Sequence, residues 1–128
     1  MRDSHFSLSN KTRGTTPRIP FAAIKDAVLG KEYELSVALL PRSEMRRITL
    51  ERKHKDHASN VLSFPLSKTS GEILLCPETA RREAPRYGKT PRKFLAQLFI
   101  HALLHLNGLQ HSATMERKER AIAKRFGF

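Results

Sequence analysis

Three histidines near the end of the chain have the types and spacing to do chemistry: His101-Ala-Leu-Leu-His105-Leu-Asn-Gly108-Leu-Gln-His111. On an α-helix a separation of four residues turns the chain by about 400°, so His101 and His105 stack on one face a turn apart. Phe94 and Leu98 precede them on that stripe, so the imidazoles stand where the pattern calls for inward-facing groups. Burial favours the neutral ring, which is the form that binds metals. Gly108 falls just past the expected helix end, where a left-handed residue lets the chain reverse and carry His111 back. A lone inward histidine is more often a satisfied core residue. Three at these spacings, with a glycine between, describe a catalytic zinc arrangement with an open fourth position.

The spacing is also that of the metzincin peptidases, His-Glu-x-x-His-x-x-Gly-x-x-His, in which the Glu after the first His is the general base. Here that position is Ala102, so a peptidase would lack its base. A phosphodiester fits better. The 24 Lys and Arg against 12 Asp and Glu leave a net charge of +12, the footprint of a polyanion binder. Arg81, Arg82, Arg86, Lys89, Arg92 and Lys93 crowd one segment opposed only by Glu83. Further groups run from Arg42 to Lys55 and from Arg117 to Arg125. With no Trp, two Tyr and seven Phe, the chain lacks an aromatic stacking platform, so its contacts would go mainly to phosphates. Zinc lowers the pKa of a bound water to about 7, and neighbouring cations stabilise a pentacovalent phosphate.

The elements that must position these residues fit one domain of 128 residues. Residues 1–18 are polar and read as a flexible start, leaving 19–128 as the folded domain. A short helix follows Pro20 to Leu29, and Glu34–Leu40 reads as a strand stopped by Pro41. Ser43 is a candidate N-cap for a helix to about Lys55. Val61–Leu66 and Glu72–Cys76, separated by Ser67–Gly71, suggest a hairpin in which Pro65 demands an edge or a bulge. A basic helix from Pro77 to Tyr87 should end at Gly88, and Thr90-Pro91 should open a helix to about Asn107 that is buried nearly all round. Thr114 is a candidate cap for the last helix. Strands early and helices late give an α+β class. One cysteine, Cys76, excludes an internal disulfide and reads as a small core residue. No apolar leader opens the chain, and Phe94–Leu106 falls short of the roughly 20 residues that cross a bilayer.

The segment His101–His111 resembles the signature of the YbeY family of rRNA-maturation endoribonucleases, His-Gly-x-Leu-His-Leu-x-Gly-Tyr-Asp-His. Ser59–Pro65 is similar to the family's Thr-Asp/Asn-Val-Leu-Ser-Phe-Pro segment, Gly71–Cys76 to its Gly-Asp-Ile strand, and Met115, Glu116 and Glu119 also fit. The likeness spans roughly residues 34–128. It implies a small mixed sheet of about four strands covered by about five helices, with one Zn2+ held by His101, His105 and His111. It further implies cleavage of single-stranded RNA, chiefly ribosomal RNA, in rRNA maturation and ribosome quality control. Ribosomal proteins or a ribosome-assembly GTPase would be partners, in the cytoplasm and not at a membrane. The family's functional Arg falls on Lys53, a candidate phosphate contact. Ala102 stands for a Gly, Leu109 for a Tyr, Gln110 for an Asp and Glu72 for an Asp. Lys53 keeps the charge but loses the bidentate fork, and Gln110 removes a carboxylate that could support a ligand histidine. Two readings stay open: a metal-dependent endoribonuclease, and a non-catalytic ribosome-associated RNA binder whose metal is structural or vestigial. Attack by water and attack by the RNA's own 2′-OH are both compatible with the residues.

Overall fold

Alternation in the strands decides which helices lie on which side of the sheet. In β3, Glu34–Leu39, the side chains of Leu35, Val37 and Leu39 point one way, and Ser36 and Ala38 the other. β5, Ser70–Leu75, pairs with it in parallel and in register, Leu35 with Gly71 and Val37 with Ile73, so the apolar rows coincide. β4, Val61–Ser67, returns antiparallel on the far side of β5, and β2, Phe6–Asn10, runs parallel to β3 on its other flank. A two-residue β1, Arg2–Asp3, completes the order β1-β2-β3-β5-β4. The structure is a computed structural model that describes residues 2–3 and 5–128, with side chains from His5 onward. The mixed sheet of four strands of five to seven residues, with five α-helices, is the α+β domain expected from the sequence.

One face of the sheet carries the larger core. Val37, Leu39, Ile73 and Leu75 pack there against Ile24 of α1 (Phe21–Leu29) and Phe99, Ile100 and Leu103 of α4 (Pro91–Leu106). The other face is covered by α2, Arg42–Lys53, through Met45 against Leu62, Leu74 and the fully buried Cys76. Among the described residues no helix is long and apolar enough to cross a membrane.

Several local readings change. Residues 6–10, placed by their polarity in a loose start, form a sheet strand because Phe6 and Leu8 alternate with serines and reach the larger core. Met1 and Ser4 of that segment lie outside the described residues. Ser43 lies inside α2, whose N-cap is Pro41 with no side-chain cap. Thr114 likewise lies inside α5, Ala113–Arg125, because Ser112 takes the cap and accepts the Met115 N–H at 3.1 Å. The basic helix after Cys76 is split into α3, Pro77–Glu83, and a 3-10 turn, Ala84–Tyr87, since Pro85 has no N–H to continue the ladder. Pro65 is accommodated as anticipated, in an edge strand with an irregularity between Pro65 and Ser67.

Gly71 sets how closely the end of α4 approaches the sheet. A Cβ there would stand 2.5 Å from the Tyr33 hydroxyl and 3.1 Å from a Leu106 methyl. Among the described residues that buried hydroxyl has no hydrogen-bond partner, and desolvation raises the Tyr33 pKa above its ordinary value. Gly71→Ala should therefore destabilise the fold by about 1–3 kcal/mol through overpacking, and adding Tyr33→Phe should restore part of the loss. Denaturant unfolding of the two variants checks this; an unchanged midpoint for Gly71→Ala would mean that the contact yields freely.

Candidate metal centre

α4 starts with Thr90, whose side chain accepts the Lys93 N–H, and Pro91 at the first helical position. It runs for 16 residues. Phe94, Phe99, Ile100, Leu103 and Leu104 are buried, which fixes its rotation. Gln97, His101 and His105, at successive spacings of four, are left on a half-buried stripe or beside it.

The helix ends in a Schellman motif. The Gly108 N–H donates to the His105 carbonyl at 2.9 Å and the Leu109 N–H to the Leu104 carbonyl at 3.1 Å. Gly108 has φ of 88°, a conformation that L side chains avoid. The reversal aims the Leu109 carbonyl back at His105, whose Nδ1 lies 3.1 Å away, and then delivers His111. The three ring centroids are 4.7, 4.9 and 4.8 Å apart, and one ligand atom from each ring lies within 4.8 Å of the others. His101 and His105 are half-buried and His111 is exposed.

Hydrogen-bond partners assign the tautomers. His101 Nδ1 lies 2.9 Å from Glu119 Oε2. A carboxylate and a peptide carbonyl can only accept, so Nδ1 is the donor in both His101 and His105. Each neutral ring then presents a bare Nε2, and these two atoms face each other at 3.1 Å. Two lone pairs at that distance repel unless a cation lies between them. Tetrahedral Zn–N bonds of 2.0–2.1 Å would place two ligand nitrogens about 3.3 Å apart, so the pair fits a metal. Burial and then the neighbouring His101 pull the His105 pKa below its ordinary value, with the Leu109 carbonyl opposing.

A cleft of about 860 Å³ opens beside the rings, lined by His101, His111, Glu119, Lys89, Arg120 and Lys124 among others. Lys89 donates to Gln97 on its wall. Ala102 is buried where the peptidases have their base, and the carboxylates that line the cleft are Glu116 and Glu119, both from α5. Lys53 is exposed in the last turn of α2 and does not line the cleft. Arg46 of α2 holds Asp56, just past the helix end, in a fork of 2.7 and 3.0 Å. Asn60 donates to Glu83 at 2.7 Å, a structural role. Glu119 was visible in the sequence only as part of the family likeness. Its independent signal is a carboxylate on the inward stripe of α5, four residues from each of the buried Met115 and Ala123.

A family model described as endoribonuclease YbeY matches residues 3–127. A YbeY endoribonuclease from Albidiferax ferrireducens is 32% identical over 124 residues, covering 91% of this chain and 84% of its own. One from Neisseria meningitidis serogroup B is 34% identical over 121 residues, covering 80% and 72%. A solution structure of a Thermotoga maritima protein superposes with a TM-score of 0.69 at 24% identity, over 93% of this chain and 87% of that one, and shows the same fold.

In the metal-free protein His105 should titrate below about 6.5. The unfolded chain takes up a proton there before the folded one does. The resulting stability is present above that pH and lost as pH falls from it through the folded-state value. Titration of the His105 ring protons by NMR reads the shift; an ordinary or raised value would contradict it.

Proposed function

The chain belongs to the YbeY family of endoribonucleases, and we propose that it cuts single-stranded RNA, ribosomal RNA in particular, at a zinc ion held by His101, His105 and His111. The observation that carries this reading is the pair of facing Nε2 atoms, each bared because its Nδ1 is committed elsewhere. Three protein donors rather than four fit a catalytic site, since structural zinc sites are usually closed by a fourth, often thiolate, ligand. The lone cysteine is buried on the other face of the sheet, in the core under α2. That favours the enzyme over a binder with a structural or vestigial metal.

Zinc in this site supplies Lewis acidity for a phosphoryl oxygen and acidifies a water to a pKa of about 7. The chain's own groups do the rest. Glu119 and the Leu109 carbonyl fix ring orientation and tautomer, and make the Nε2 atoms better donors. Lys89, Arg120 and Lys124 line the cleft and attract the phosphates that flank the scissile bond. Lys53, away from the cleft lining, contacts a phosphate farther along the strand. The cytoplasm, with ribosomal proteins or an assembly GTPase at hand, is the setting this substrate requires.

Chelation should stop cleavage of a single-stranded RNA and one equivalent of zinc should restore it, while Glu119→Gln should weaken zinc binding about ten- to a hundredfold. Metal-competition titration and gel assays measure both. Protein that holds zinc and binds RNA yet never cuts it would favour the non-catalytic reading. Lys53→Ala should lower kcat/KM about ten- to a hundredfold, the loss of one charge-assisted phosphate contact. An unchanged value removes Lys53 from the site.

A further inference from the structure

The carboxyl ends of the parallel strands β2, β3 and β5 lie at the opposite end of α4 from the histidines. A second cavity of about 810 Å³ opens there, and Arg92 and Leu95 of α4 line it. Arg92 is 13 residues from His105, about 20 Å along the helix axis. Lys11, Arg13, Arg18 and Arg81 line the same cavity, with Glu78 as its one carboxylate among the described residues. Glu78 is already held by Arg82 at 2.8 Å. Among the described residues, none of Lys11, Arg13, Arg18 and Arg81 forms an ion pair.

The fold gathers these like charges and fixes the backbone of the loop that carries three of them. Asn10 Oδ1 accepts from the Thr12 N–H at 2.9 Å and from its hydroxyl at 2.7 Å, and Asn10 Nδ2 donates to the Gly14 carbonyl at 3.0 Å. The Lys11 N–H donates to the Leu39 carbonyl at 2.9 Å, which ties the loop to the sheet. Arg92 reaches across to the Arg18 carbonyl at 2.6 Å. A group of like charges gathered on one cavity releases its mutual repulsion when it meets several phosphates at once. Four of the five are arginines, whose planar forks suit phosphate oxygens. They come from the loop after β2, from α3 and from α4, and all five are exposed, a spread that suits a chain of phosphates better than a single small anion.

We propose that this cavity is a second RNA site, which grips the phosphodiester backbone of the substrate some 20 Å from the point of cleavage. It rests on the reading of RNA as substrate. Backbone contacts carry no base information, so the site adds affinity and orientation without sequence preference. Spanning both sites takes about six stacked nucleotides at 3.4 Å each; an RNA of about three that sits in the cleft of Lys89, Arg120 and Lys124 does not reach the cavity.

The test uses chelated protein, so that binding is read without cleavage, with labelled RNAs of about 20 and about three nucleotides chosen on that span. Arg13→Gln, Arg18→Gln and Arg81→Gln together should weaken the longer RNA about tenfold. They should also flatten its salt dependence by about two log units per log unit of salt, from about 0.7 per phosphate contact. Binding of the short RNA should stay unchanged. The corresponding Arg→Lys triple should keep most of the affinity, which separates charge from folding. The proposal is overturned by an unchanged affinity and slope for the longer RNA, or by equal weakening of the short one. If the triple behaves like the parent while zinc-dependent cutting persists, only this inference falls. If the longer RNA binds through the cavity but zinc-loaded protein never cuts it, the cavity stands and the catalytic reading falls.

Discussion

Two imidazole nitrogens held 3.1 Å apart with their lone pairs facing are the constraint from which the rest of the site follows. In water such a pair would rotate apart or share a proton. Here neither ring can turn without breaking a hydrogen bond on its far side, to Glu119 in one case and to the Leu109 carbonyl in the other. A cation between them, a proton or a metal ion, joins the two nitrogens, and the hydrogen bonds on the far sides of the rings keep both aimed at it. Burial at His105 disfavours protonation, so a metal ion competes for the site with less interference from protons.

Holding that geometry takes elements far from the rings. Buried Phe99, Ile100 and Leu103 fix the rotation of α4 against β3 and β5, and Gly71 admits Leu106 close to the sheet. The Ser112 cap starts α5 so that Met115 reaches the core and Glu119, one turn on, reaches His101. Three of the four groups that define the site are thus fixed by a helix or a helix terminus, where backbone hydrogen bonds leave little freedom. His111 sits on the connecting loop and is the exposed member.

Much of this was legible because it is local. The four-residue spacing of His101 and His105, the glycine after them, the Thr90-Pro91 start and the edge position of Pro65 follow from rules acting within a few residues. What escaped depends on partners distant in sequence. Phe6–Asn10 is a strand because β3, more than 20 residues on, offers it a parallel edge; five mostly polar residues announce little alone. The hairpin turn is Lys68-Thr69, shorter than Ser67–Gly71 suggested, because two serines with no apolar signature still pair. Thr114 reads as the last helix's cap from the sequence, but the path from His111 gives that place to Ser112. Lys53 came from family likeness alone, and the structure places it exposed in the last turn of α2.

The departures from the family pattern acquire a physical meaning at this point. Loss of an acidic residue at Gln110 would matter most if that side chain were the acceptor that orients a ligand histidine. In this structure Gln110 is exposed, and the acceptors are Glu119 from α5 and the main-chain carbonyl of Leu109. A carbonyl survives any side-chain replacement, provided that the left-handed Gly108 keeps the reversal that aims it. The support of His105 is therefore set by backbone conformation, and that of His101 by one carboxylate on a packed helix. Side-chain changes at Leu109 and Gln110 therefore leave both hydrogen bonds that orient the His101 and His105 rings in place.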